Sequence, residues 1–197
     1  MKITIGMIEK LNPCEPRFDN FKNHYPSYEG DFRDFLALEN ITYEDKVWVA
    51  SKLLNKNQLV HWSIFCAESV KHIFENKYPD NKCLTVLLDY LKNIPDFNNL
   101  SAEVKKKIWE LRRPAADAAD AAYAAAAYAA ADADADADAA AAADAAYAAA
   151  DAAYAAAYAV DAAYAAAYAA NAAYAAREEQ RNLNLLFLAS LIEEESK

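Results

Sequence analysis

Asp151-Ala-Ala-Tyr-Ala-Ala-Ala-Tyr-Ala-Val160 is followed at once by Asp161-Ala-Ala-Tyr-Ala-Ala-Ala-Tyr-Ala-Ala170. These two ten-residue units differ only in their last residue. They belong to a tract, residues 115–176, written almost wholly in Ala, Tyr and Asp. Alanine has the highest helix propensity of any residue, so the tract reads as helix. The period constrains it further. At ~100° per residue, ten residues turn the pattern by ~80° short of three full turns, so the tyrosines cannot hold one straight seam. A ten-residue step is a heptad plus three, which works against a long regular coiled coil. A single helix over the tract would run ~93 Å, whereas a compact chain of this size has a radius of gyration near ~16 Å. The tract is therefore expected to fold back as a hairpin or bundle. Its break is expected at residues 131–138, where Ala-Asp repeats four times and would set like charges at i, i+4.

Outward from the tract, the first half also reads as helices. Residues 59–77 carry Trp62, Phe65, Cys66, Val70, Ile73 and Phe74 on one stripe. Tyr78-Pro79 ends that stripe, because proline disfavours helix in the residue before it. Residues 83–92 place Leu84, Leu87, Leu88 and Leu91 inward and stop before Pro95. Ser101 is a good N-cap for a further helix, with Ile108 and Trp109 as its expected inward anchors. Residues 43–54 form another, with Val47, Trp48 and Leu54 packed. Residues 12–31, with Pro13, Pro16, Pro26 and Gly30, look the least regular. The expected class is all-α, divided into a mixed helical subdomain (1–113), the Ala/Tyr/Asp helical region (114–176) and a closing helix (177–197).

Charge is divided as sharply as composition. Residues 1–113 carry 17 Lys+Arg against 16 Asp+Glu, while residues 114–176 carry nine Asp and no base. Such a tract repels phosphates, so direct nucleic-acid binding by it is disfavoured. Asp144, Asp151 and Asp161 recur within it, which argues against a membrane span. The opening residues 1–8 are interrupted by Glu9 and Lys10 and lack a small-residue cleavage site, so no signal peptide is expected. Cys14, Cys66 and Cys83 are scattered and odd in number, which fits a reducing cytoplasmic setting rather than a disulfide framework or zinc knuckle. Only Gly6 and Gly30 occur, too few and too far apart for a phosphate-cradling loop. No cofactor is expected.

Several residue groups invite a functional reading. Asp-Ala-Ala-Tyr stands at 120–123, 144–147, 151–154 and 161–164, with Asn-Ala-Ala-Tyr at 171–174. It reads either as an acidic, aromatic docking surface or, more plainly, as local Asp–Tyr hydrogen bonding around core tyrosines. His61, Glu68 and His72 share one helix stripe. The two histidines are ~16 Å apart along the axis and cannot share a metal, which leaves Glu68–His72 as an i, i+4 pair and the only acid–base candidate. Cys66 has no base nearby and reads as structural. Lys105, Lys106, Lys107, Arg112 and Arg113 could grip an anion, but are more simply expected at a helix C-terminus, where they complement the dipole. An ice-binding helix is disfavoured, because the tract contains no threonine and its tyrosines spoil a flat face.

Trp62-Ser-Ile-Phe-Cys66-Ala-Glu68-Ser-Val-Lys-His-Ile-Phe74-Glu-Asn-Lys-Tyr78-Pro79-Asp80, followed by an alanine-rich region, resembles immunity proteins of bacterial polymorphic toxin systems. Leu11-Asn-Pro-Cys14-Glu-Pro-Arg-Phe18-Asp-Asn-Phe21 is similar to the start of alanine-rich phage and prophage proteins. The chain departs from that pattern after Asp80, where Cys83-Leu-Thr-Val-Leu-Leu replaces a basic, alanine-rich helix. The resemblance implies a non-enzymatic inhibitor that binds and neutralises a protein: a toxin, a nuclease or another defence protein. It carries over no site residue. Two other readings stand beside it. One is an acidic nucleic-acid mimic presenting Asp132, Asp134, Asp136 and Asp138 to a DNA- or RNA-binding defence protein. The other is a structural alanine-rich phage component. Association as a homo-oligomer is left open.

Overall fold

The structure, a computed structural model, describes residues 1–128, 141, 144, 147, 171 and 177–194. Helix dominates it, and the class is all-α. The elements are β1 (Lys2–Thr4), α1 (Ile5–Lys10), α2 (Glu15–His24), β2 (Glu29–Asp31), α3 (Phe32–Ala37), α4 (Tyr43–Leu53), α5 (Lys56–Lys77), α6 (Cys83–Lys92), α7 (Ala102–Tyr128) and α8 (Arg177–Glu194). They divide into two compact units: Met1–Leu54 with Leu185–Lys197, and Asn55–Asn184.

In the first unit, β1 and β2 pair antiparallel, with Ile3 opposite Gly30. This ribbon is absent from the helical expectation, since three-residue strands are too short to show alternation. The segment expected to be least regular, 12–31, contains the regular helix α2. Pro16 falls in its first turn, where the amide that proline lacks would have no intrahelical partner. Fully buried Ile3 and Phe35 sit among Ile8, Phe21, Phe32 and Leu36. Phe21, Tyr25, Tyr28 and Phe35 pack as tilted and edge-on rings with centroids 5.7–6.3 Å apart. Gly30 is required by this cluster: a Cβ there would come within 2.8 Å of Tyr28 Cζ and closer still to its hydroxyl. Burial pushes that hydroxyl up to about 12, helped by the charges of Asp34 and Asp31.

In the second unit, α6 packs against both α5 and α7. The apolar stripe of α5 is realised: Trp62, Cys66, Val70 and Phe74 are buried, with Val60, Ile64 and Ala67 beside them. Its start is set by a capping box. Asn55 Oδ1 accepts from Gln58 N and Gln58 Oε1 accepts from Asn55 N. Leu84, Leu87, Leu88 and Leu91 of α6 are fully buried, each worth ~1.5–3 kcal/mol against exposure. Thr85 donates to the Glu75 carboxylate and links α6 to α5. Within the 55–184 unit, the start of α8 is tied to α5 by a buried polar chain. Gln180 Nε2 donates to Ser69 Oγ at 2.7 Å and to Asn184 Oδ1 at 2.8 Å.

Helix α7 begins as expected, with Val104 N donating to Ser101 Oγ at 3.2 Å. It then runs straight through the change of composition, with Pro114 inside it. Proline there forfeits one backbone bond and strains the turn by ~3 kcal/mol, which the alanines that follow resist with the best available propensity. Its inward stripe is Ile108, Ala115 and Ala119, all fully buried. Trp109 was expected inward and instead stands 48% exposed. Ala141, Asp144, Tyr147 and Asn171 of the tract are helical. Tyr147 donates to the Asp120 carboxylate. On one continuous helix Asp120 and Tyr147 would lie ~40 Å apart, so the two do not belong to one unbroken helix. The expected break at 131–138 lies outside the described residues.

Candidate protein-binding surface

The loop between α6 and α7 decides how the start of α7 is presented. Asn57, one residue into α5, accepts from Phe97 N through Oδ1 at 2.7 Å and donates through Nδ2 to Asp96 Oδ1 at 3.0 Å. Asp96 also accepts from Asn98 N at 2.9 Å, Asn98 Nδ2 at 3.0 Å and Asn99 Nδ2 at 3.1 Å. The Asn98 amide, then Asn57 and Asn99, hold this carboxylate below its ordinary range. Fully buried Phe97 anchors the loop, and His61 meets its ring edge-on at 5.9 Å. Lys56 is pushed down first by burial and then by Lys105.

Two faces of α7 are open. On one, a groove of about 340 Å³ between α6 and α7 is lined by Tyr90, Glu103, Val104, Lys106, Lys107 and Glu110. Val86, 51% exposed, precedes Tyr90 by one turn on the same face of α6. The groove thus joins Tyr90 and Val104 to two bases and two acids, with Val86 beside it on α6. Lys106 and Lys107 share Glu110 at 3.9 Å each, contacts too long to hold either ammonium. On the other face stand Lys105, Trp109 and Arg112, at i, i+4 and i+7. The Arg112 guanidinium lies 5.2 Å from the centre of the Trp109 ring.

The basic cluster was expected at a helix C-terminus; it lies in the first turns of a 27-residue helix. The dipole therefore does not explain these cations. The expected Glu68–His72 pair is also replaced. Glu68 pairs with Lys71 and with Lys92 of α6, each at 2.9 Å, while His72 is exposed. Both oxygens of Glu68 are engaged by lysines rather than by His72, which weakens the acid–base candidate. Cys66 is fully buried, and burial pushes its thiol well up, as expected of a structural cysteine. No His/Cys/Asp/Glu cluster able to hold a metal occurs among the described residues.

Among the described residues, one Asp–Tyr pair joins two units of the repeat. Asp120 of one Asp-Ala-Ala-Tyr unit takes the phenol of Tyr147 from another, 27 residues on. Asp132, Asp134, Asp136 and Asp138 lie outside the described residues. In the first unit, the cleft lined by Ile8, Pro13, Phe18, Phe21 and Trp48 encloses only about 30 Å³, with Arg17 and Asp45 paired at 2.7 Å on its wall. That is room for about one or two waters rather than a metabolite. No helix among the described residues is long and apolar enough to cross a membrane. Neither the residue periodicities nor the motifs pointed to the groove, because it joins residues of α6 to residues of α7 that lie more than a dozen positions along the chain. No family model, curated protein or solved structure matches this chain.

Proposed function

We propose that the protein works by binding another protein, as an inhibitor of the immunity or anti-defence type, with the α6/α7 groove as its contact. The observation that carries this reading is the make-up of the groove: Tyr90 and Val104, with exposed Val86 one turn before Tyr90, beside the charged Glu103, Lys106, Lys107 and Glu110 of α7. An apolar centre with a charged rim is the anatomy of a protein interface. The groove is open and charged, unlike the enclosed, apolar-walled clefts that bury small ligands. The test is affinity capture from the native host with the full chain, followed by stoichiometry and competition with three variants. Val86→Glu and Tyr90→Ala should each weaken a saturable one-to-one complex at least tenfold while the circular dichroism spectrum stays helical. Glu68→Ala with His72→Ala should leave the affinity in place. Unchanged affinity in both groove variants would remove the groove from the interface, and turnover that disappears in the Glu68/His72 variant would make the protein an enzyme.

A second reading rests on the nine aspartates and absence of bases in residues 114–176. A rigid acidic surface can occupy the positive channel of a nuclease or DNA-binding protein and speed its encounter at low salt. Replacing Asp132, Asp134, Asp136 and Asp138 with asparagine should slow association severalfold and flatten its dependence on ionic strength. An unchanged rate would discard the mimic.

A further inference from the structure

We infer that the α6/α7 groove takes an amphipathic helix of the partner, and that this helix carries Lys-x-x-Glu-Glu-x-x-Lys, the negative image of Glu103-x-x-Lys106-Lys107-x-x-Glu110. The inference rests on the protein-binding reading and supplies the chemistry of the partner. Three observations lead to it. Glu103, Lys106, Lys107 and Glu110 stand at i, i+3, i+4 and i+7, so one stripe of α7 lines the groove with an acid at each end and two bases in the middle. From α6 the groove receives Tyr90, with exposed Val86 one turn before it. Finally, the stripe is little used within the chain: both lysines share the single carboxylate of Glu110 at 3.9 Å, beyond hydrogen-bond reach.

Charge order and spacing select the occupant. With two acids and two bases the stripe is neutral, so a ligand of one sign gains at two positions and loses at the other two. That rules against a nucleic-acid strand, which is negative at every nucleotide. Complementarity must therefore lie in the order of charges rather than in their sum. Spacing decides the rest. From Glu103 to Glu110 α7 rises ~10 Å. An extended segment covers that span in about three residues and turns alternate side chains away, so it cannot answer four charges. A helix laid along α7 repeats the same rise and sets its own i, i+3, i+4 and i+7 residues against all four. Its apolar side then rests on Tyr90 and Val86.

The test titrates the full-length protein into two end-capped, fluorescently labelled, alanine-based peptides of about 18 residues, long enough to be helical. Both carry the same two leucines and have no net charge. One presents Lys-x-x-Glu-Glu-x-x-Lys and the other Glu-x-x-Lys-Lys-x-x-Glu, so composition and net charge cancel from the comparison. Fluorescence anisotropy should show saturable binding of the first, about tenfold tighter than the second, with the gap shrinking as salt rises from about 50 to 300 mM. Combining Glu103→Lys, Lys106→Glu, Lys107→Glu and Glu110→Lys keeps the net charge of the protein and should reverse the preference. Helical circular dichroism checks the fold of that variant, and the two-peptide comparison on the unaltered protein stands without it. Absence of saturable binding, equal affinity for the two peptides, or a preference that survives the fourfold swap would each overturn the inference. So would a dimer of the protein alone that Tyr90→Ala disperses, since the groove would then belong to a second copy. If a captured host protein is lost by Val86→Glu and Tyr90→Ala yet kept by the fourfold swap, the protein-binding reading stands and this helix pattern does not. Capture that survives all these variants would remove the groove reading and this inference with it.

Discussion

Replacing Asn57 with alanine should detach the loop that presents α7. Asn57 Oδ1 is the acceptor for the Phe97 amide at 2.7 Å, and Phe97 itself is fully buried. Alanine leaves that part-buried donor without a partner, at a cost of about 1–3 kcal/mol. The bond from Asn57 to Asp96 is lost too, but that carboxylate is open to water and is re-solvated. Urea unfolding of the full chain, followed by the circular dichroism of its helices, should show the midpoint fall with little change in slope. The loss should depend on pH. Asp96 is held below its ordinary range by the Asn98 amide first, then by Asn57 and Asn99. A carboxylate depressed in the folded state stabilises above its unfolded value of ~3.9, and that stabilisation drains away as pH falls toward the folded value. Removing Asn57 weakens one of its supports, so the gap between wild type and variant should be widest at neutral pH and narrow below about pH 4. A loss under ~0.5 kcal/mol at pH 7, or a gap that widens in acid, would show that the loop is held by something other than this hub.

Three further outcomes follow from the same structure. Gln180→Ala should destabilise by about 1–3 kcal/mol, since it strips the donor from buried Asn184 Oδ1. Gln180→Leu combined with Asn184→Leu should cost less than Gln180→Ala, because it leaves less buried polarity unpaired; chemical denaturation of the variants decides. Gly30→Ala should cost about 1–3 kcal/mol by driving Tyr28 out of its ring cluster, and Gly30→Ala with Tyr28→Leu should recover part of it. In a thiol-labelling time course read by mass spectrometry, exposed Cys14 should react first, half-buried Cys83 more slowly and Cys66 only on unfolding. Early labelling of Cys66 would contradict the packing of α5.

What the residues disclosed in advance, and what they hid, has a physical pattern. Helix α6 was legible to the residue, because four leucines at helical spacing sit between Tyr78-Pro79 and Pro95. Helix α5 begins three residues before its expected start at Leu59, at the capping box that Asn55 and Gln58 spell. Trp109 was misplaced for a subtler reason. Helical spacing alone does not say whether Ile108 or Trp109 leads the inward stripe, and Ala115 and Ala119 settle it by sharing the side of Ile108. In an alanine-rich sequence those two residues carry no contrast, so the stripe is invisible until the helix has a neighbour. Glu68 shows the other blind spot: helical spacing offers His72 and Lys71, and only Lys71 pairs with it, while its second partner Lys92 comes from the next helix, 24 residues away.

The arrangement of charge along α7 bears on why the helix is written as it is. Helix stability favours acids in the first turn and bases in the last. In α7 only Glu103 obeys, three lysines follow at once, and Asp117 and Asp120 come later. The i, i+4 pairs run the same way, Lys106 before Glu110 at 3.9 Å and Arg113 before Asp117 at 3.8 Å, which is the weaker of the two orders. Exposed pairs at such distances are each worth at most a few tenths of a kcal/mol. Solubility does not require the pattern either, since interspersed charges would serve as well. The charges of α7 therefore add little to the helix itself, and their order is compatible with the proposed role of α7 in binding. Farther along the same helix, Asp120 serves the fold by accepting the Tyr147 phenol. At its start, Lys106 and Lys107 hold Glu110 only at 3.9 Å, so replacing them tests the proposed groove at little cost to the fold.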